Sequence, residues 1–313
     1  MLLAAKPLRL RTRRLQHQQV ASRSVGTRAM AAPVAVGGHG PDGWLGLRGK
    51  VALVTGGVSG LGRAIGLELA QQGVHVVITD VRQEEEGLAA VEELQSKSTG
   101  AKAVYMRADV SSPHGLPDIV AKAHEHLGPI DVLVNNAGIN VPALLVDESG
   151  KHEVTDDILD RILNVNVKGV FHMTQAVARH MLQCSTKGVV VNIASEAGMQ
   201  GSLGQSAYAA SKGAVYSMTR SWAKEFAGKL RVVGVAPGVL EATGLRTPAY
   251  EEALAHTRGQ TVEQLRASYA KGILLGREAR LGEVASVVAF LASPRASYVD
   301  GTIINVSGGK SWV

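Results

Sequence analysis

Seven short apolar runs, each parted from the next by a stretch of helical periodicity, constrain this chain more than anything else in its sequence. The runs span 51–55, 74–79, 103–106, 131–134, 189–193, 232–235 and 302–306. They are apolar on both faces rather than alternating, as strands of a parallel sheet covered on both sides are. The intervening segments, such as 61–72 and the Glu-rich 83–97, have the length and pattern of helices. Strand and helix in regular alternation predict an α/β fold built on a doubly wound parallel sheet of seven strands. No internal repeat and no second rhythm interrupts it, so 44–313 reads as a single domain. The one break lies at about 240–280, which is polar, locally helical and too long for an ordinary connection. Such an insertion after the C-terminal end of a strand has the character of a helical substrate lid.

The net charge of +6 suggests a polyanionic partner until the charges are located. Residues 1–41 hold seven of the 33 basic residues and no acid, and Asp42 is the first carboxylate. The remaining 26 basic residues face 27 acidic ones, a net charge of −1, so the basic footprint of a nucleic-acid binder is missing. An Arg-rich, acid-free start with an amphipathic stretch over 8–20 reads instead as a transit peptide for a mitochondrion or plastid. The Gly/Pro-rich residues 33–43 would link it to the domain, and without such a role the chain is expected in the cytoplasm. No apolar run reaches the ~18 residues a membrane-spanning helix needs, so no membrane association is expected. Cys184 stands alone, which rules out an internal disulfide, and no Cys or His cluster shows ligand spacing, so no metal is expected.

The first strand ends in Thr55-Gly56-Gly57-Val58-Ser59-Gly60-Leu61-Gly62, which opens a helix. Gly56, Ser59, Gly60, Leu61 and Gly62 together suit a turn that lets a pyrophosphate approach the backbone at a helix N-terminus, the cofactor site of a Rossmann-type sheet. A glycine turn alone is weak evidence, and its place between strand and helix strengthens it. Asp80 ends the second strand 18 residues after Gly62. A carboxylate there accepts hydrogen bonds from an adenosine ribose and repels a 2′-phosphate, which predicts NAD rather than NADP. Asp80 could instead cap the next helix, and the neighbouring Arg82 would soften the preference.

Further along stand Asp109-Val110, Asn135-Asn136-Ala137-Gly138, Asn166, Ser195, Tyr208-Ala-Ala-Ser-Lys212 and Pro237-Gly238, with 13 residues from Ser195 to Tyr208. In this order and spacing, together with the glycine turn, they resemble the short-chain dehydrogenase/reductase family over nearly all of 47–309. The resemblance implies hydride transfer between NAD and an alcohol–ketone pair, with Ser195, Tyr208, Lys212 and Asn166 as the catalytic set. Asn166 would anchor a water of the proton relay, and Lys212 would also hold the nicotinamide ribose. Asp109 and Val110 would flank the adenine, Asn136, Ala137 and Gly138 would pass close to the cofactor, and Thr243 matches a position that binds the carboxamide. Members of the family commonly form tetramers, so a homotetramer or homodimer is expected.

The residues themselves support the chemistry. Tyr208 and Lys212 lie four apart in a helical segment and so share a face. A phenol with a reference pKa of about 10 is a poor base near neutrality, and a nearby ammonium is expected to draw it down. Ser195, at the end of the fifth strand, can hydrogen-bond a substrate oxygen as charge builds on it. Taken singly, these residues also suit a surface aromatic, a solvated lysine and a turn serine.

The run from Gly234 to Arg258, together with 261–266 and Ser307-Gly-Gly-Lys310, resembles members of the family that act on sorbitol 6-phosphate. That resemblance implies a hexitol 6-phosphate and its ketose as the small-molecule pair. The lid supplies Arg246, Arg258, Lys271 and Arg277 as possible phosphate partners, with Arg246 first because it lies nearest Thr243. Glu196 is a further candidate substrate contact. Unphosphorylated polyols, 3-oxoacyl-carrier-protein substrates and an NAD-sensing role without turnover remain as alternatives.

Overall fold

Val51 and Leu53 pack into one apolar cluster while Ala52 and Val54 pack into another, because successive side chains of a strand point to opposite faces. This two-sided demand is met by a three-layer arrangement in the computed structural model, which describes residues 43–311 except 99, 242 and 245. The segment read as a transit peptide, and almost all of its linker, lie outside the described residues.

The strands are β1 (Val51–Thr55), β2 (His75–Asp80), β3 (Ala103–Arg107), β4 (Val132–Asn135), β5 (Val189–Ile193), β6 (Arg231–Pro237) and β7 (Ile303–Val306). They form one parallel sheet in the order β3-β2-β1-β4-β5-β6-β7. All seven expected runs are strands, with ends displaced by at most two residues. The chain moves outward from β1 to β3, then returns to β4 on the other side of β1. That reversal leaves a crevice above the C-terminal ends of β1 and β4, the place where open α/β sheets bind ligands.

Helices α1 (Gly60–Gln71) and α2 (Glu84–Ser96) cover one face, joined later by α10 (Leu281–Ala292). Ile65, Leu69, Val288 and Leu291 fill that layer. Helices α3 (Leu116–Leu127), α4 (Asp156–Leu163), α5 (Val170–Gln183) and α7 (Ser206–Glu225) belong to the other half, where Val120, Met173, Val177 and Val215 pack beneath the sheet. A short α6 (Ala197–Gln200) precedes α7. Between α4 and α5, residues Asn164–Gly169 form a wide π-helical turn, a feature that often re-aims side chains at functional sites.

The insertion after β6 folds as two helices, α8 (Pro248–Thr257) and α9 (Val262–Gly272). Its two ends meet in a parallel bridge between Leu240 and Ala279, and its own small core is Leu254, Ala255, Leu265 and Tyr269. Thr247 caps α8, and Thr261 with Gln264 forms a capping box on α9, so both helices start at polar caps. Among the described residues, no helix is long and apolar enough to cross a membrane.

Candidate active site

A cavity of about 520 Å³ opens in the crevice above β1 and β4 and runs from the glycine turn to the lid. Its wall includes Gly56, Ser59, Gly60, Leu61, Asp80, Asp109, Val110, Asn136, Ala137, Gly138, Ser195, Glu196, Tyr208, Lys212, Pro237, Gly238, Thr243, Arg246 and Arg258. The catalytic and cofactor residues singled out in the sequence therefore converge, apart from Gly62 and Asn166, while the lid candidates Lys271 and Arg277 stay outside the wall. Gly62 sits behind the turn, and Asn166 sits behind Gly138.

The turn has the shape a pyrophosphate needs. Gly56 and Gly60 adopt φ of +63° and +53°, in the left-handed region that favours glycine. Ser59 precedes α1 without capping it through its side chain, and Ser59, Gly60 and Leu61 line the cavity, which sets this helix start where an anion would be favoured. Asn136 Nδ2 donates to the carbonyls of Thr55 and Gly56 at 3.0 and 3.2 Å, tying β4 to the turn. A dinucleotide thus fits the residues present. Asn135, by contrast, faces away, donating to Thr174 and Asn192 at 2.8 Å each in a buried polar ladder beneath the sheet.

Asp80 accepts from Val58 N at 3.2 Å and from Arg82 N at 3.3 Å, so it braces the turn while lining the cavity. Arg82 is paired with Glu86 one helical turn on. Its charge is thus partly neutralised near Asp80.

Tyr208, on the first turn of α7, stands by the end of β5, where it and Ser195 line the same cavity wall and influence each other. Lys212 lies one turn on, nearly buried, and donates from Nζ to the carbonyl of Ile193 at 2.8 Å. Its ammonium stands 5.8 Å from the centre of the Tyr208 ring. Burial draws the Lys212 ammonium down to about 8. Burial also pushes the Tyr208 phenol up, opposed by the Ser195 side chain and reinforced by Glu196. The expected lowering of the tyrosine is therefore corrected: its phenol is raised, and loss of water around the phenolate is the largest cause.

Asn166 does not line the cavity. Its amide donates to Ile139 O at 2.9 Å and Ser211 at 3.0 Å, and its oxygen accepts from Ile139 N at 2.8 Å. This fully buried side chain fastens the π-helical turn to the loop after β4 and to α7.

The lid revises the cationic candidates. Arg246 Nη atoms lie 3.0 Å from Glu251 and 3.0 Å from Glu278, and one also donates to Leu240 O at 2.8 Å. Its guanidinium stacks 4.9 Å from the centre of the Tyr269 ring, and Arg266 also pairs with Glu251. Two carboxylates already neutralise Arg246, so it is a clamp across the base of the lid rather than a spare cation. Replacing Arg246 with Met should cost on the order of 3 kcal/mol by leaving a buried carboxylate short of a partner. In hydrogen exchange, the amides of α8 and α9 should lose protection while those of β4 and β5 keep it. Arg277 pairs with Glu283 at 2.7 Å, and Lys271 lies outside the cavity wall.

Arg258 is different. It lines the cavity, donates to Ser202 Oγ at 3.3 Å, and has no carboxylate partner among the described residues; its Nε is buried without any partner. Ser202 continues to Gln205 at 2.6 Å, Gln205 to Tyr250 at 2.8 Å, and Asn140 to Tyr250 at 3.1 Å. Lys310 also reaches the cavity, where it pairs with Glu196, whose second carboxylate oxygen is buried and unpartnered. Sequence reasoning passed over Asn140, Ser202, Gln205, Tyr250 and Lys310. Of these, Tyr250 and Lys310 carried a signal, as members of the quoted Gly234–Arg258 run and Ser307–Lys310 motif.

A family model described as short chain dehydrogenase matches residues 50–253. The chain is 47% identical over 274 residues to sorbitol-6-phosphate 2-dehydrogenase of Klebsiella pneumoniae, covering 86% of this chain and 98% of that protein. It is 39% identical over 266 residues to a 3-oxoacyl-acyl-carrier-protein reductase of Thermotoga maritima, covering 84% and 98%. Against L-2,3-butanediol dehydrogenase of Corynebacterium glutamicum, identity is 38% over 262 residues, covering 83% and 98%. With the sheet order, the glycine turn and the Ser195–Tyr208–Lys212 cluster around one cavity, these matches make the chain an oxidoreductase that belongs to the short-chain dehydrogenase family.

Proposed function

We propose that this chain interconverts a hexitol 6-phosphate and its ketose 6-phosphate with NAD, binding the phosphate at the Arg258 end of the cavity. The observation that carries the reading is an arginine without a carboxylate partner, in the same cavity as Tyr208 and Ser195 and beside a strip of neutral hydrogen-bonding side chains. The 47% identity to the sorbitol-6-phosphate enzyme adds weight from a separate direction. NAD, when bound, would accept or return the hydride.

The chain's own residues do the rest. Gly56, Ser59, Gly60 and Leu61 would cradle the pyrophosphate at the start of α1, with Gly62 allowing the turn to close. The Asp80 carboxylate favours an unphosphorylated ribose, and Asp109, Val110, Asn136, Ala137, Gly138, Pro237, Gly238 and Thr243 would line the remaining cofactor path. Tyr208 takes the proton from the substrate hydroxyl during oxidation and returns it during reduction. Ser195 holds the same oxygen, and the Lys212 ammonium steadies the phenolate as it forms. Asn166 acts as a positioning residue, keeping Ile139 and α7 in register. Glu196 and Lys310, as a pair at the cavity wall, would meet the sugar hydroxyls.

Two coarser elements belong to the same reading. Residues 1–41 would direct the chain to an organelle. The half-exposed Phe171 on α5, packed edge-on at 5.7 Å against Trp222 of α7, supports a homotetramer or homodimer assembled through these helices.

The test follows NADH formation by the full chain with sorbitol 6-phosphate, beside mannitol 6-phosphate, sorbitol, and NADP in place of NAD. Turnover on a hexitol 6-phosphate with NAD is expected. Replacing Arg258 with Met should raise KM for the phosphosugar by about 10- to 100-fold, the loss of one charge-assisted hydrogen-bonding partner, and leave kcat nearly unchanged. Turnover on unphosphorylated polyols alone, with Arg258→Met silent, would sink the phosphate assignment.

A further inference from the structure

The last turns of α3 and α5 pack side by side on the outer face of the domain, away from the cavity. They bring His124 of α3 to His180 of α5 and Cys184 at the end of α5, a cluster that the sequence reading, expecting no metal, did not assemble. We infer that His124, His180 and Cys184 form a binding site for one borderline-soft divalent cation of the zinc class.

Geometry carries the inference. Nitrogen, nitrogen and sulfur donor atoms all lie within 4.8 Å of one another. Cys184 Sγ is 3.7 Å from His180 Nε2, and the two imidazole rings meet edge-on with centroids 5.0 Å apart. Around a tetrahedral zinc, with Zn–N about 2.0 Å and Zn–S about 2.3 Å, ligand atoms stand roughly 3.3–3.6 Å apart. The cysteine–histidine spacing is already near that value, and a small rotation of the exposed His124 side chain closes the remainder. His180 and Cys184 are four residues apart, the helical spacing that puts two ligands on one face.

The electrostatics agree. Both helices end at this place, and the helix C-termini carry partial negative charge that favours a cation. Two imidazoles and one thiolate select zinc, or cobalt as its spectroscopic stand-in, over the hard oxygen-seeking cations. Three protein ligands on an exposed surface leave a fourth position for water. None of the three residues lines the NAD-site cavity, so the site is separate from the chemistry proposed above.

The experiment takes the full chain, strips it with a chelator, and titrates it with Zn2+ against a chromophoric competitor, then with Co2+ under an absorption spectrometer. One tightly held equivalent per chain is expected, with a thiolate-to-cobalt charge-transfer band, and Zn2+ should slow alkylation of Cys184, the only cysteine in the chain. Cys184→Ser should abolish the band and His124→Asn should weaken binding at least tenfold, while hydride-transfer activity stays at the parent level in both. Binding unchanged in the two variants, a Co2+ spectrum without a thiolate band, or alkylation indifferent to Zn2+ each overturns the assignment. The alkylation arm uses the unaltered protein, so it decides even where a variant folds poorly.

Discussion

Replacing Tyr208 with Phe should lower kcat by about 10²- to 10⁴-fold while NAD binding stays close to that of the parent, because one proton-transfer group is lost and little else. The hydroxyl reaches a desolvated position beside Ser195 at the end of β5, and the ring can keep its place without it. Steady-state kinetics with a coenzyme titration separate the two quantities. A variant that keeps more than about a tenth of the parent kcat would show that another group moves the proton. The pH dependence follows from the direction of the shift. Burial raises the Tyr208 phenol, so near neutrality it carries its proton. Alcohol oxidation needs the phenolate and should therefore speed up as pH rises, while ketone reduction needs the phenol and should be favoured at lower pH. In the Phe variant this limb of the oxidation profile should flatten.

Replacing Gly62 with Ala should abolish measurable NAD binding and lower Tm by roughly 5–10 °C, an overpacking cost of about 2–3 kcal/mol in a domain of this size. A Cβ at Gly62 would stand 2.1 Å from the carbonyl oxygen of Gly56 and 2.5 Å from Asn136 Nδ2. The first of these is backbone and cannot swing aside, so the turn must open. Gly60→Ala provides the contrast: its Cβ would meet only Thr243 at 3.5 Å, leaving about 1–2 kcal/mol of left-handed strain at φ +53°. Calorimetric titration with NAD and a thermal melt rank the pair. Equal damage at both positions would mean that φ alone, not the approach of Gly62 to Gly56, shapes the cradle.

These two residues mark what a one-dimensional pattern holds. The seven strands, the glycine turn, Asp80 and the pair Tyr208 and Lys212 were legible because their signals are local. Two-sided apolarity over five or six residues has few other solutions than a covered parallel strand, and four residues along a helix always share a face. The lid was legible as a break in rhythm, while the starts of its helices at Thr247 and Thr261 emerged only in the structure.

What the tertiary structure alone decided concerns partners distant in sequence and the loss of water around them. Proximity along the chain favoured Arg246 as the phosphate ligand, but folding placed Glu251 and Glu278 on it and left Arg258 without a carboxylate among the described residues. The strip from Asn140 through Tyr250 and Gln205 to Ser202 joins segments up to 110 residues apart, so no spacing announces it. Sequence spacing suggested that Lys212 would lower Tyr208, whereas burial of the phenol raises it. His124 meets His180 and Cys184 only because α3 and α5 end side by side. Periodicity and glycine placement are written residue by residue, and they determined the sheet and the cofactor turn. Charge compensation and desolvation depend on which atoms end up within a few ångströms of each other, and only the folded chain sets that.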